Sequence, residues 1–242
     1  MSLLTIMQDA SVEVSLLKPS TAFANTDPAI VKLVRASEQV GRRLAKIFDW
    51  QVMTKERTFT AVGTEEQTGI FTGVTDFDRF IPETFWNRGE QFLISGPISA
   101  VEWQGLKATS YSDTERRKFR HRGDSVYVIP TLTSGDSIAF EYVSTGWCKK
   151  SDGTLQTSWI LDTDLGVIDE ELLTLGTIFQ YLANEGLDSG VAARNYQEYF
   201  ELLTENDQPS DDVLVAGDLF GGVSQGRHFG GAPPVAGTGG LF

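Results

Sequence analysis

One cysteine, Cys148, in 242 residues has no partner within the chain, so no internal disulfide framework is available and a reducing compartment suits the sequence. Histidine is nearly as scarce. His121 and His228 lie far from each other and from Cys148, with no second ligand at zinc-site spacing. No apolar run approaches the roughly 20 residues that cross a bilayer. The opening MSLLTIMQDASVEV has no basic region, no continuous apolar stretch and no small-residue cleavage site, so neither a signal peptide nor a membrane anchor is expected. Basic residues are outnumbered, 20 against 33, for a net charge of −13. That balance argues against general nucleic-acid binding, because a phosphate backbone demands a basic surface. With 40% hydrophobic residues the chain is ordinary globular material, long enough for a sizeable core in one large domain or two modest ones.

The clearest element is a helix over residues 27–50. Ile30, Leu33, Val34, Leu44 and Ile47, with the small Ser37 and Gly41 between them, recur at i, i+3, i+4 spacing. Asp27 is a good N-cap, and Pro28 stands at the first helical position, where its missing N–H costs nothing. Lys32, Arg35, Glu38, Gln39, Arg42 and Arg43 fill the opposite face. A short helix precedes it, through Leu3, Leu4, Met7, Ala10 and Val14. Two follow late in the chain: one from Asp169 with Leu172, Leu175, Phe179 and Leu182 on a face and Gly186 as C-cap, the other over 189–206 with Ala192, Tyr196, Tyr199 and Leu203. Between these helices the period changes. Residues 51–62 alternate as a strand does, and 125–130 and 137–143 are the clearest strands, joined by the turn-rich TLTSGD. Short strands at this spacing predict an antiparallel sandwich or barrel. The expected class is therefore α+β. A helical bundle (1–50 and 151–206) is split by an inserted antiparallel β domain (51–150), and an extended glycine-rich arm (207–242) follows. The arm has no period, so it reads either as a disordered tail or as a segment ordered by a partner.

No catalytic motif of any strength emerges, and no enzyme, cofactor or metal is expected. Gly222-Val223-Ser224-Gln225-Gly226 matches G-x-S-x-G, but it lies in the glycine-rich tail without the strand and helix that a nucleophile elbow needs. Asp162-Thr163-Asp164-Leu165-Gly166 resembles a calcium loop, yet its glycine is one position early and Leu173 stands where a bidentate acid belongs. Asp76, Asp78 and Glu83 are imaginable as paired carboxylates of a glycosidase; surface charges between packed aromatics is the plainer reading. The one basic cluster is Arg116-Arg117-Lys118-Phe119-Arg120-His121-Arg122. As a strand it places Lys118, Arg120 and Arg122 on one face. A solvated face, a dock for an acidic neighbour and a contact to passing nucleic acid all remain open; the acidic balance weighs against the last.

The order of segments resembles a known family. A helix ending at Asp49-Trp50-Gln51 is followed by Phe77-Asp78-Arg79-Phe80, Thr84-Phe85-Trp86-Asn87-Arg88, Pro97, Glu102-Trp103, Phe119-Arg120-His121-Arg122-Gly123-Asp124, Phe140-Glu141-Tyr142-Val143-Ser144 and Trp147-Cys148. Over residues 1–206 this is similar to the head-to-tail adaptor (connector) proteins of tailed bacteriophages, of the tail tubular protein A type found in short-tailed phages. The resemblance implies a structural virion protein at the head–tail junction, assembled in the host bacterial cytoplasm. It forms a dodecameric ring between the portal ring and the tail nozzle, and genome DNA passes through its lumen during ejection. Under it, Leu219, Phe220, Arg227, Phe229, Leu241 and Phe242 are expected as portal anchors on the arm. Arg117, Arg120 and Arg122 are expected to face the tail, and Arg35, Arg42 and Arg43 a neighbouring subunit. The glycine-rich arm departs from the helical one of the family. The alternatives are another neck or tail ring, such as a stopper or nozzle subunit, and a hydrolase of cell-wall or capsule polysaccharide using Asp76, Asp78 and Glu83.

Overall fold

The computed structural model describes residues 2–109 and 116–207. In chain order the helices are α1 (Leu3–Glu13), α2 (Pro28–Ile47), α3 (Ala100–Ala108), α4 (Glu170–Asn184) and α5 (Gly190–Asp207). The strands are β1 (Thr54–Thr60), β2 (Glu66–Gln67), β3 (Phe77–Phe80), β4 (Trp86–Asn87), β5 (Phe92–Leu93), β6 (Lys118–Arg122), β7 (Ser125–Ile129), β8 (Ser137–Ser144), β9 (Cys148–Lys149), β10 (Leu155–Gln156) and β11 (Leu165–Gly166). All paired strands are antiparallel. The protein is a mixed α+β fold, and residues as far as Asp207 form one compact unit.

Local chemistry sets the helix ends. Asp27 caps α2 by accepting from Ala29 N at 2.9 Å, with Pro28 at the first position. Asp169 caps α4 by accepting from Leu172 N at 2.9 Å. At its far end Gly186 takes φ +71°, and Leu187 N and Gly186 N donate to Leu182 O and Ala183 O, a Schellman ending. The DTDLG segment, which resembles a calcium loop in sequence, is a clamp on α1. Leu3 N and Leu4 N, the orphan donors of its first turn, bond Asp164 O at 2.7 Å and Asp162 O at 3.1 Å. Asp164 Oδ2 accepts from Ile160 N and Leu161 N, while its buried Oδ1 has no hydrogen-bond partner among the described residues.

Two apolar clusters fill the interior. The first joins Leu3, Ile6, Met7 and Ala10 of α1, Leu33, Ala36, Val40 and Leu44 of α2, and Leu172, Leu173, Ile178 and Tyr181 of α4. Helix α5 lies outside, contributing only half-buried Ala192, Tyr196, Tyr199, Phe200 and Leu203. The second cluster lies between the β1-β8-β4-β5 sheet, where β3 also pairs with β8, and the β2-β7-β6 sheet. Strand β8 serves both clusters by its period of two. Ile138, Phe140 and Tyr142 point into the second and Val143 into the first. The small β10-β9-β11 sheet carries Cys148 into the first cluster.

Some expectations shift. Residues 51–53 are a 3-10 turn, and the strand starts at Thr54. Ile47 is 56% exposed, because α2 ends there and the chain turns away. Helix α4 buries Leu172, Leu173, Gly176, Thr177, Ile178 and Tyr181, while Leu175, Phe179 and Leu182 are only half-buried. A helix packed against α1, α2 and α5 at once has no single apolar stripe. Helix α3 interrupts the region expected to hold only strands.

Candidate interaction surfaces

Some of the residues quoted for the family resemblance lie at the joint between the two clusters, and others inside the second cluster or on the surface. Arg79, on β3, reaches the C-terminal end of α2. Its Nη1 donates to Ala45 O at 3.1 Å, its Nη2 to Phe48 O at 2.9 Å and its Nε to Asp49 Oδ1 at 2.7 Å. A guanidinium on the last carbonyls of a helix satisfies orphan acceptors and complements the negative end of the dipole. Asp78 bridges the same Arg79 at 2.6 Å and also contacts Lys46. On the same flank, Trp147 lies flat against α2 where Gly41 has no side chain; a Cβ there would stand 2.3 Å from the indole. Trp159 meets Trp147 edge-on at 4.8 Å and donates from Nε1 to Ser37 Oγ at 3.0 Å. The two small residues of the apolar face are thus seats for two tryptophans. In the second cluster Phe85 stacks between Phe119 (4.4 Å) and Phe140 (5.2 Å), with Phe80 within 5.3 Å of both. No protein-family model and no curated protein matches the chain.

The carboxylates imagined as a hydrolytic pair are otherwise engaged. Burial raises the Asp76 pKa, but bonds from Lys55 (2.6 Å), Ser144 (2.7 Å) and Tyr142 (3.2 Å) outweigh it and hold the group below the ordinary carboxylate value. A carboxylate held ionised by three donors is unsuited to general-acid work. Asp78 belongs to the Arg79–Lys46 cluster. Glu83, in the left-handed region at φ +63°, lines a shallow cleft with Glu56, Trp86 and Glu141 instead. Burial pushes the Cys148 thiol up to about 12, so it is a packed, unreactive group. His121 packs among Phe71, Phe77 and Phe80 at 5.3–5.7 Å. Among the described residues no three His, Cys, Asp or Glu side chains are grouped to hold a metal, and no helix is long and apolar enough to cross a membrane.

The basic strand divides. Arg117 does not belong to an exposed contact face: it is 5% exposed, bonds Glu90 at 2.8 Å and lies 4.6 Å over the Phe92 ring. Its partners lie some two dozen positions upstream, and nothing in the basic run itself points to them. Burial of the Arg117 stem is compatible with charge because Glu90 and the ring replace water. Arg120 and Arg122 are on the open side of β6, beside Lys118, which pairs with Glu102 at 2.5 Å. Neither arginine has a hydrogen bond or ion pair among the described residues.

Arg35, Arg42 and Arg43 are exposed along α2. Arg42 makes only a 3.4 Å contact with Glu38, and Arg35 and Arg43 have no hydrogen bond or ion pair among the described residues. Lys32, beside them, is tied to Glu185 at 2.8 Å. Leu219, Phe220, Arg227, Phe229, Leu241 and Phe242 lie outside the described residues, as do the G-x-S-x-G segment and His228. The surface that sequence reading missed is a groove between α1, α4 and α5, floored by Leu175, Ile178, Leu182 and Val191. The half-buried apolar residues of α4 were its only signal.

Proposed function

We propose that the chain is a head-to-tail adaptor of a tailed bacteriophage, a non-enzymatic subunit of a ring seated between portal and tail nozzle. In this reading α1, α2, α4 and α5 are a helical bundle, and the strands between α2 and α4 are a sandwich inserted into it. The bundle builds the ring, the sandwich faces the tail, and residues 208–242 are the arm that engages the portal. DNA passes through a lumen whose acidic lining repels it, as the net charge of −13 favours.

The observation that carries the reading is the joint. The quoted segments contribute several buried contacts there and in the second cluster. Arg79 holds the end of α2, Trp147 is seated on Gly41, and Phe80, Phe85, Phe119 and Phe140 form one aromatic stack. A family signature made of aromatic and structural residues is expected to specify architecture rather than chemistry, and the packing roles of these residues support a structural reading. The arginines left unpaired on α2 and β6 are surfaces of the kind an assembly uses.

Binding tests it. Immobilised portal protein from the same virus should retain the full chain and release the chain shortened to residues 1–207. Retention undiminished by the shortening moves the portal contact off the arm. A full chain that is not retained rejects the reading.

A further inference from the structure

We infer that the α1–α4–α5 groove is the docking surface for the outer face of α2 on a second copy of this chain, an inference that rests on the ring reading for why copies associate. The groove encloses about 400 Å³ and its floor is apolar, with Val191 69% exposed. Its rim carries Asp9 and Glu13 from α1, Glu171 from α4 and Asp188 ahead of α5, with no cation among its lining residues. The side chains of Asp9 and Glu13 have no hydrogen bond or ion pair among the described residues. An apolar floor inside an acidic rim suits a partner that offers aliphatic side chains between cations.

The outer face of α2 has that chemistry. Val31, 49% exposed, stands near its start. Beyond it along the helix lie Arg35 and Arg43, both unpaired, and Arg42, whose contact is with Glu38. The two surfaces are on different sides of the bundle. Gly176 of α4 abuts Val40 of α2, where an added Cβ would come within 2.6 Å, and it lies between about a third and nearly half a turn round α4 from Leu175, Leu182 and Ile178 at about 100° per residue. One copy therefore does not satisfy its own groove with its own α2. Two different complementary patches on one chain make a heterologous, head-to-tail contact, which closes into a ring when the rotation between copies permits. The rival occupant within the chain is residues 208–242, where Asp211, Asp212 and Asp218 outnumber Arg227, the wrong sign for an acidic rim.

The test is a charge exchange read by sedimentation equilibrium on the full chain at low salt, at concentrations up to about 1 mM. The variants are R35E/R43E and D9K/E13K, which touch only exposed, unpaired side chains. Wild type should self-associate, less so as salt is added. Each variant alone should associate about tenfold more weakly or worse, since attractions become repulsions. Mixed in equal amounts the two variants should recover, because each then offers the other a complementary pair of surfaces. Association that D9K/E13K leaves unchanged, or a mixture that does not recover, overturns the pairing while leaving the ring reading intact; the groove then serves another partner or the chain's own residues 208–242. A wild type that stays monomeric throughout also overturns the pairing, and assembly on the portal then judges the ring reading separately.

Discussion

Around α2 the interior is made by leaving volume out, whereas between the two larger sheets it is made mostly by putting volume in. Gly41 and Ser37 carry almost no side chain so that Trp147 and Trp159 can lie against the helix, and Gly176 does the same for Val40 and Tyr196. In the other cluster Phe80, Phe85, Phe119 and Phe140 meet ring on ring, with centroids 4.4–6.1 Å apart, and there Gly96 is the one glycine seated against a ring, that of Phe119, among the described residues. The difference follows from backbone spacing. Helices approach closely only where side chains are small, while packed sheets stand about 10 Å apart and need large ones to fill the gap. Substitutions should therefore fail in opposite directions on the two sides.

The largest effect should come from removing volume in the β cluster. Phe85→Ala should cost about 4 kcal/mol in denaturant unfolding, through lost burial and the cavity left between Phe119 and Phe140. Adding volume on α2 should come next. Gly41→Ala should destabilise by about 3 kcal/mol although alanine is the better helix former by about 1 kcal/mol, because Trp147 must move. A Gly41→Ala protein as stable as wild type would break the comparison. Arg79→Ala tests the joint and should cost about 2 kcal/mol, since Ala45 and Phe48 lose a charged donor at the end of α2.

The smallest effect is the pH dependence of the Asp76 site. Its folded pKa lies below the unfolded value, so its stabilisation is full above about pH 4 and is lost as pH falls through the folded pKa. Tyr142, which donates to it, is pushed up to about 12, by burial first and then by the Asp76 charge. Its stabilisation is full below about pH 10 and is lost as pH rises through about 12. Asp76→Asn should flatten the acid limb of a stability-against-pH curve and leave the plateau between these limits flat. An unchanged acid limb would show that the Lys55–Asp76 contact contributes nothing.

Legibility in the sequence followed the range of the interactions. Asp27-Pro28, Asp169 and Gly186 announce helix ends through bonds that span at most five positions, and the helices are there. Strand β7 alternates, and β8 is a run rich in apolar and aromatic residues buried on both faces, so both show themselves. Helix α3 was not expected: Ser99 and Glu102 are spaced as in a capping box, and Ser99 Oγ accepts from Glu102 N at 3.1 Å, but the surrounding turn residues hid that signal. Arg117 was not legible as a buried residue, because what turns it inward is Glu90 and Phe92, far upstream. The seats at Ser37 and Gly41 were visible as small residues in an apolar face, but the tryptophans that occupy them come from more than 100 positions away. The groove was hidden for a related reason: its floor and rim come from α1, α4 and the start of α5.

The central claim is assembly on a portal, and native mass measures it most directly. Purified chain, 26.6 kDa, is mixed with the portal ring of the same virus and the mass of the complex is read. The account predicts a gain equal to a closed ring of subunits, one for each portal subunit, and loss of that gain when Arg35, Arg42 and Arg43 are replaced by glutamate. A portal whose mass is unchanged by the chain would contradict it.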